Sequence, residues 1–257
     1  MEAAAVDKSQ VKKVYATMIT DDKYISGLQV MHYTLRKFTQ RTLVIILQDN
    51  VKKITEKQLE KLSNVIIKKV SHLSNPHEKN ASDASWIGSG YTKLYIWSLV
   101  EYEQLFYIDA DCMINACIED VFDRDVSFAA APDVFPPDHF NAGVLLIKPS
   151  IEIFNDMVAK SPDMPSYDGG DTGFLNNYFP DWYKMESQCR LPYGYNAQRI
   201  LHWFTIKRTD GYWKEVEKDG GLKIIHYSSS PKPWEGKPKG DLEAIWYGQF
   251  IEFLQNK

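Results

Sequence analysis

Cysteine is scarce in this 257-residue chain, which has only Cys112, Cys117 and Cys189. So small and odd a number supports no disulfide framework, and the absence of C-x-x-C removes the common zinc and redox motifs. A reducing, cytoplasmic setting follows. Long hydrophobic runs are also missing. No stretch approaches the roughly 20 apolar residues that cross a bilayer, and Met1-Glu2-Ala3-Ala4-Ala5-Val6-Asp7 lacks the apolar core of a signal peptide. No membrane association is expected. There is no excess of basic charge either: the net charge is -4 and the pI about 5.9, which argues against nucleic-acid binding. Neither G-x-G-x-x-G nor G-x-x-x-x-G-K-[ST] occurs, so the two commonest glycine-loop nucleotide sites are excluded. What the chain does have is 44% hydrophobic residues, enough for a sizeable core, and 13% aromatics, a supply of faces for stacking.

Hydrophobic periodicity organises the chain from the N-terminus. Residues 1–12 read as a flexible leader and 13–257 as a single domain. Val14 to Thr20 is strand-like, and Asp21 or Asp22 is placed to cap a helix in which Ile25, Leu28, Met31 and Leu35 recur at helical spacing. Thr42 to Gln48 is a second strand. Thr55-Glu56-Lys57-Gln58 has capping-box spacing for a helix ending near Leu62, and Asn64 to Val70 is a third strand. Strand, helix, strand, helix, strand predicts an α/β fold with a mainly parallel central sheet. A long polar loop, Ser71 to Gly90, leads to a helix over Tyr91 to Val100. Short strands follow at 126–131, 143–148 and 222–227, with helices at 151–159, up to Tyr178, and 242–254.

The residues with the most chemical character end one apolar run, Leu105-Phe106-Tyr107-Ile108-Asp109-Ala110-Asp111. Strand alternation predicts that Asp109 and Asp111 point the same way, at the carboxyl end where open α/β sheets hold ligands. Two carboxylates so close need a counter-charge, and a divalent cation carrying phosphate oxygens supplies one. Asp168-Gly169-Gly170-Asp171 offers two acids in a glycine elbow, either hydrogen-bonding a polyol or capping a helix. His226 ends the last strand and Lys232 follows in a proline-flanked turn, a third ligand and a phosphate contact for the same ion. One nitrogen with two carboxylates suits Mn²⁺, with Mg²⁺ as its competitor. Asn141-Ala142-Gly143 either binds a sugar or turns the chain. His32, His72, His77, His139 and His202 show no ligand spacing and are read as structural.

The motifs F-Y-I-D-A-D, A-A-P-D, F-N-A-G-V, D-G-G-D-T-G, L-P-Y-x-Y-N and H-Y-x-x-x-x-K-P-W, in this order from Val14 to about Trp234, resemble those of the glycogenin-like glycosyltransferase family 8. The resemblance implies a nucleotide-sugar-binding Rossmann-like fold of the GT-A type, a retaining hexosyl transfer from a UDP-sugar, Mn²⁺ and a homodimer. It implies Asp109, Asp111 and His226 as metal ligands, Lys232 on the diphosphate, and Thr20, Asp21 and Tyr24 around the uridine. Lys93, Ala110 and Ser229 fall among the donor contacts it implies, with Asp133, Asn141, Ala142 and Gly143 on the sugar side. Asp168 and Asp171 belong to the same sugar-binding set, Asp171 nearest the reacting carbon, either as a nucleophile or as support for a same-face departure.

The chain departs from the family at several places. Trp203 stands where glycogenins carry the tyrosine they glucosylate, and the long C-terminal tail is missing after Lys257. Ala84 lies where a basic residue often precedes the Lys93 helix, and Asp21 replaces the usual asparagine. Trp203, Phe204, Tyr212 and Trp213 either face an acceptor sugar or belong to the core. A short enzyme without the priming tyrosine is similar to the protist α-galactosyltransferases that extend a glycan on the ubiquitin-ligase (SCF) adaptor. This favours a galactose donor and a glycan acceptor on a cytoplasmic protein. The rivals are a glucosyltransferase priming glycogen on another of its own tyrosines and an inactive UDP-sugar-binding scaffold. A haloacid-dehalogenase-type phosphatase is disfavoured, because Met113 occupies the position where that class wants Thr or Val.

Overall fold

The computed structural model describes residues 12–77, 87–208, 212–218, 221–236 and 240–256; Ala84 and all of the expected leader except Lys12 lie outside them. The central sheet contains β1 (Lys13–Ile19), β2 (Leu43–Gln48), β3 (Val65–Val70) and β4 (Gln104–Ile108). β6 (Phe128–Pro132) and β7 (Phe140–Ile147) complete it, in the order β3-β2-β1-β4-β7-β6. β1 to β4 are mutually parallel, and β7 runs against both β4 and β6. The expected mainly parallel sheet is therefore present, with one reversed strand.

Side-chain alternation explains why the central strands carry apolar residues on both faces. In β1 Tyr15 and Ile19 face one core layer while Val14 and Ala16 face the other. β2 divides Leu43, Ile45 and Leu47 from Val44 and Ile46 in the same way. A sheet covered on both faces leaves no polar side for its central strands. Helix α1 (Ile25–Arg36) lays Leu28, Met31 and Leu35 on the first layer. Asp21, whose side chain accepts from Lys23 N at 2.9 Å, caps the short 3-10 turn leading into it.

Two local expectations are corrected. α2 begins two residues before Thr55 and covers Lys53–Leu59, because the Thr55 hydroxyl donates to the Asp22 carboxylate at 2.6 Å instead of capping the helix. The helix expected over 91–100 starts earlier and is a 3-10 helix over Ile87–Ser98. Three residues per turn align Tyr91, Leu94 and Trp97, all buried in the second layer.

A second sheet, in the order β5-β9-β8, consists of β5 (Cys112–Ile114), β8 (Ala197–Gln198) and β9 (Ile224–His226). It packs, through Met113, Ala197 and Ile225, with Val30 of α1 and with Leu242 and Trp246 of α7 (Asp241–Gln255). β5, β8 and the helices α5 (Arg199–Arg208) and α6 (Tyr212–Lys218) have no periodic signal of their own. α3 (Ile151–Lys160) and α4 (Asp171–Tyr178) match their expected positions. No helix among the described residues is long and apolar enough to cross a membrane.

The strand order reverses between β1 and β4. Their carboxyl ends, at Thr20 and Asp109, therefore open a crevice between connections that leave in opposite directions. Gly27 lets α1 pass close beneath it. A Cβ there would stand 2.6 Å from the Ala110 carbonyl oxygen and 2.5 Å from the Trp234 ring. Gly27→Ala should therefore destabilise the protein by about 1–3 kcal/mol through overpacking, although alanine is the better helix former by about 1 kcal/mol. Urea unfolding checks the sign; a stabilised variant would mean that this approach imposes no constraint.

Candidate active site

The D-x-D motif lies on the turn from β4 into β5, not on a strand. Cys112 N donates to Asp109 O at 3.1 Å, and Asp109 N to Gly143 O at 2.8 Å. The two carboxylates converge because the chain turns from one sheet into the other, and the expected strand alternation is not the cause. Opposite the turn, Cys112 pairs with His226 across β5 and β9. This register brings His226 Nε2 to 3.2 Å from Asp111 Oδ1 and 4.0 Å from Asp109 Oδ2. On its other side the ring contacts Asn196 Oδ1 through Nδ1, at 2.7 Å.

Two buried lysines attend these acids. Lys232 Nζ donates to Asp111 Oδ2 at 2.6 Å and to Tyr227 O at 2.9 Å. Burial pushes the Asp111 carboxyl up, but Lys232 and His226 outweigh it and hold it well below the carboxylate range. Lys93 Nζ lies 3.2 Å from Asp109 Oδ1, donates to Ala142 O at 2.9 Å, and stands 2.5 Å from Asp171 Oδ2. The last contact is a close ion pair between two buried side chains. Burial raises the Asp171 carboxyl; Lys93 lowers it and Asp109 and Asp168 add to the rise. Burial would lower Lys93, but Asp109 and Asp171 reverse that and raise it. Tyr107 completes the group by donating to Asp109 Oδ1 at 2.6 Å.

The glycine elbow divides its acids between two tasks. Asp168 Oδ1 accepts from Ser166 Oγ, Gly170 N and Gly173 N at 2.7–2.9 Å, so it holds the loop and the start of α4. Gly169 takes a φ of 73°, which glycine alone adopts without strain. The first turn of α4 then carries Asp171 inward to Lys93.

These groups line a cleft of about 900 Å³. Thr20, Asp21, Tyr24 and Ala110 lie along it with Ser229 and Lys232, and Asp133, Asn141, Gly143, Asp168 and Asp171 continue it. Ala142 is fully buried behind the wall, with its carbonyl on Lys93. Seven aspartates and two lysines line the cleft among the described residues, so a dianionic diphosphate needs a cation to enter. The donor set fits one: two carboxylates and an imidazole nitrogen suit Mn²⁺ or Mg²⁺. The Cys112 thiol falls in the same group as Asp111 and His226. Burial, reinforced by Asp111 and Asp109, raises its pKa well above the ordinary thiol range.

Some residues of the site escaped sequence reasoning. Gln198 donates to Asp133 Oδ1 at 2.8 Å, and Phe135 and Tyr167 stand at the rim, 87% and 53% exposed. Asn196 was legible only as the last letter of L-P-Y-x-Y-N. Trp203, Phe204, Tyr212 and Trp213, which either face an acceptor sugar or belong to the core, do not line the cleft: Trp213 is buried beside His202, and Trp203 lies under the Arg199 guanidinium. Tyr195 is buried with its hydroxyl on Asp120. His32 and His77 bond backbone carbonyls, as their structural reading requires, although His77 also lines the cleft.

The sequence signature described as Glycosyl transferase family 8 matches residues 16–237. The chain belongs to that family. Over 224 residues it is 31% identical to glycogenin-1 of Mus musculus, covering 86% of this chain and 65% of that protein. It thus spans less than two thirds of that relative. It is also 30% identical over 243 residues to inositol phosphorylceramide glucuronosyltransferase 1 of Arabidopsis thaliana, covering 87% of this chain and 43% of that one. Among solved structures, the Streptococcus pneumoniae glycosyltransferase GlyE superposes with a TM-score of 0.69 at 21% identity, over 95% of this chain and 63% of that chain. The galactosyltransferase LgtC, solved with donor and acceptor sugar analogues, gives 0.67 at 17% identity, over 93% and 96%. The architecture is accordingly the GT-A-like α/β fold of these proteins.

The buried Lys93 makes a prediction for this family 8 site. Lys93→Met leaves Asp109 and Asp171 without their ammonium and should cost about 3–5 kcal/mol of stability near about pH 8. A carboxyl raised in the folded state binds its proton more tightly there than in the unfolded chain. The loss should therefore be smaller at about pH 5 than at about pH 8, in the direction of the raised Asp171 carboxyl. Urea unfolding at both pH values measures it; equal losses would point to packing in place of charge.

Proposed function

We propose that this chain is a retaining, divalent-cation-dependent hexosyltransferase that moves a sugar, galactose in preference to glucose, from a UDP-sugar to a glycan on a cytoplasmic protein. The observation that carries this reading is that the His226 ring stands between two carboxylates of the cleft, 3.2 Å from Asp111 and 4.0 Å from Asp109, with the buried carboxylate of Asp171 across Lys93 from Asp109. A cation bound at the first three, Mn²⁺ or Mg²⁺, would neutralise the diphosphate as it leaves. Lys232, already directed at Asp111, would add positive charge beside it. Thr20, Asp21 and Tyr24 would take the uridine end. Asp171 would stabilise positive charge on the sugar carbon while Asp133, Asn141 and the elbow hold the sugar hydroxyls.

The preference for galactose rests on the resemblance to enzymes that lack the priming tyrosine, with Trp203 in its place. That resemblance makes the SCF adaptor glycan the acceptor to test first, and the wider likeness to glycogenins makes a homodimer the assembly to test. Phe135 and Tyr167 at the rim offer apolar faces to an acceptor sugar. The rival reading, a self-glucosylating glycogen primer, is favoured by the 31% identity to glycogenin-1.

UDP release from a panel of UDP-sugars, with Mn²⁺ and water as the only acceptor, decides the donor. Selectivity for UDP-galactose is expected. Selectivity for UDP-glucose, with hexose increments on the intact mass, would establish the primer reading, and UDP binding without release from any donor would leave a scaffold. Asp171→Asn should lower kcat by about 10²–10³-fold while UDP affinity stays near wild type, and a rate above half of wild type would remove Asp171 from the chemistry. Phe135→Ala should raise KM for a p-nitrophenyl hexoside acceptor about two- to tenfold, the worth of one aromatic face. An unchanged KM would put the acceptor elsewhere.

A further inference from the structure

We propose that Asn196 is a positioning residue that sets the tautomer of His226, placing its proton on Nδ1 and leaving Nε2 as a bare lone pair towards Asp109 and Asp111. The inference rests on the reading of His226 as a metal ligand. Its starting point is a backbone donor with no freedom of assignment. Gly143 N donates to Asn141 Oδ1 at 2.9 Å, which fixes the side-chain oxygen of Asn141 on this side. The same oxygen accepts from Asn196 Nδ2 at 2.9 Å, and Asn196 Nδ2 also reaches the backbone carbonyl of Asn141 at 3.5 Å. Two acceptors, one of them a backbone oxygen, therefore hold the amide nitrogen of Asn196.

The oxygen of that amide must then face the other way, to His226 Nδ1 at 2.7 Å. An amide oxygen only accepts, so Nδ1 carries the hydrogen in either charge state: the imidazolium also donates from Nε2 to Asp111 Oδ1, 3.2 Å away, and the neutral ring, the form a cation would take as ligand, has no hydrogen on Nε2. Asn196 and His226 are buried, so no bulk water competes for Nδ1. Gly143 contributes a second time through what it lacks. A Cβ on it would stand 2.3 Å from His226 Cε1 and 2.7 Å from Nδ1, so only glycine leaves room for the ring in this orientation. One polarity thus runs from a backbone N–H through two amides into an imidazole. It ends on a lone pair of the type a divalent cation needs, and such outer partners raise the affinity of the ligand they orient.

Two measurements test this. The first is ¹⁵N NMR of metal-free, histidine-labelled protein at alkaline pH. It should show His226 with a protonated Nδ1 and an unprotonated Nε2, and a proton found on Nε2 would overturn the proposal. The second is Mn²⁺ affinity, read by electron paramagnetic resonance of the free ion in the presence of UDP. Asn196→Leu, which cannot accept from Nδ1, should weaken binding about 10–100-fold. Asn196→Asp keeps an acceptor on Nδ1 and should stay within about tenfold of wild type, nearer to it than the leucine variant. Equal losses in both variants would reduce Asn196 to a packing residue and refute the relay. Wild-type protein that binds no Mn²⁺ would refute the metal reading instead, and the NMR result would then judge the tautomer by itself.

Discussion

From Asp171 to Lys232 the floor of the cleft interleaves carboxylates with nitrogen bases: Asp171, Lys93, Asp109, then the His226 ring, Asp111 and Lys232. Buried carboxylates of this density persist only where each is opposed, since an isolated one costs several kcal/mol and neutralises itself. The two ammonium groups provide that opposition without removing the negative excess of the cleft. The site is thus stable as a folded object and still attractive to a cation and to hydroxyl groups.

Topology supplies the members of this row from distant parts of the chain. Lys93 comes from the 3-10 segment before β4, Asp109 and Asp111 from the turn between the two sheets, and Asp171 from the first turn of α4. His226 and Lys232 arrive from β9 and the turn after it. The small second sheet is what makes this possible. By pairing β5 with β9 it places the histidine over the D-x-D turn, and Arg199 anchors the following loop by donating to Ser229 and Pro231 carbonyls while paired with Glu243.

Much of the central sheet was legible locally. The alternation in β1 and β2, the helical spacing of α1 and the apolar run of β4 each report on neighbours two to four residues away, which is the range of a periodic signal. Where a distant partner intervened, local rules failed. Thr55 left its cap for Asp22, and the segment around Tyr91 tightened to a 3-10 helix to bury three aromatic and aliphatic side chains in line. The glycine elbow illustrates both sides. Its identity as a helix start with two acids was visible, but nothing local says that Asp168 turns back to the loop while Asp171 turns inward.

The sequence by itself determined the residue types of the site, their order along the chain and membership of family 8, because motif identity is a property of the chain alone. Which carboxylate meets which lysine was decided only by tertiary structure. The same holds for the tautomer of His226 and for the choice of Phe135 and Tyr167 over the tryptophans to face the cleft. These depend on contacts between residues separated by 16 to 121 positions, as in the Lys93–Asp109 and Asp111–Lys232 pairs. No local period encodes such distances; they are set when the sheets close and each buried polar atom must find its partner.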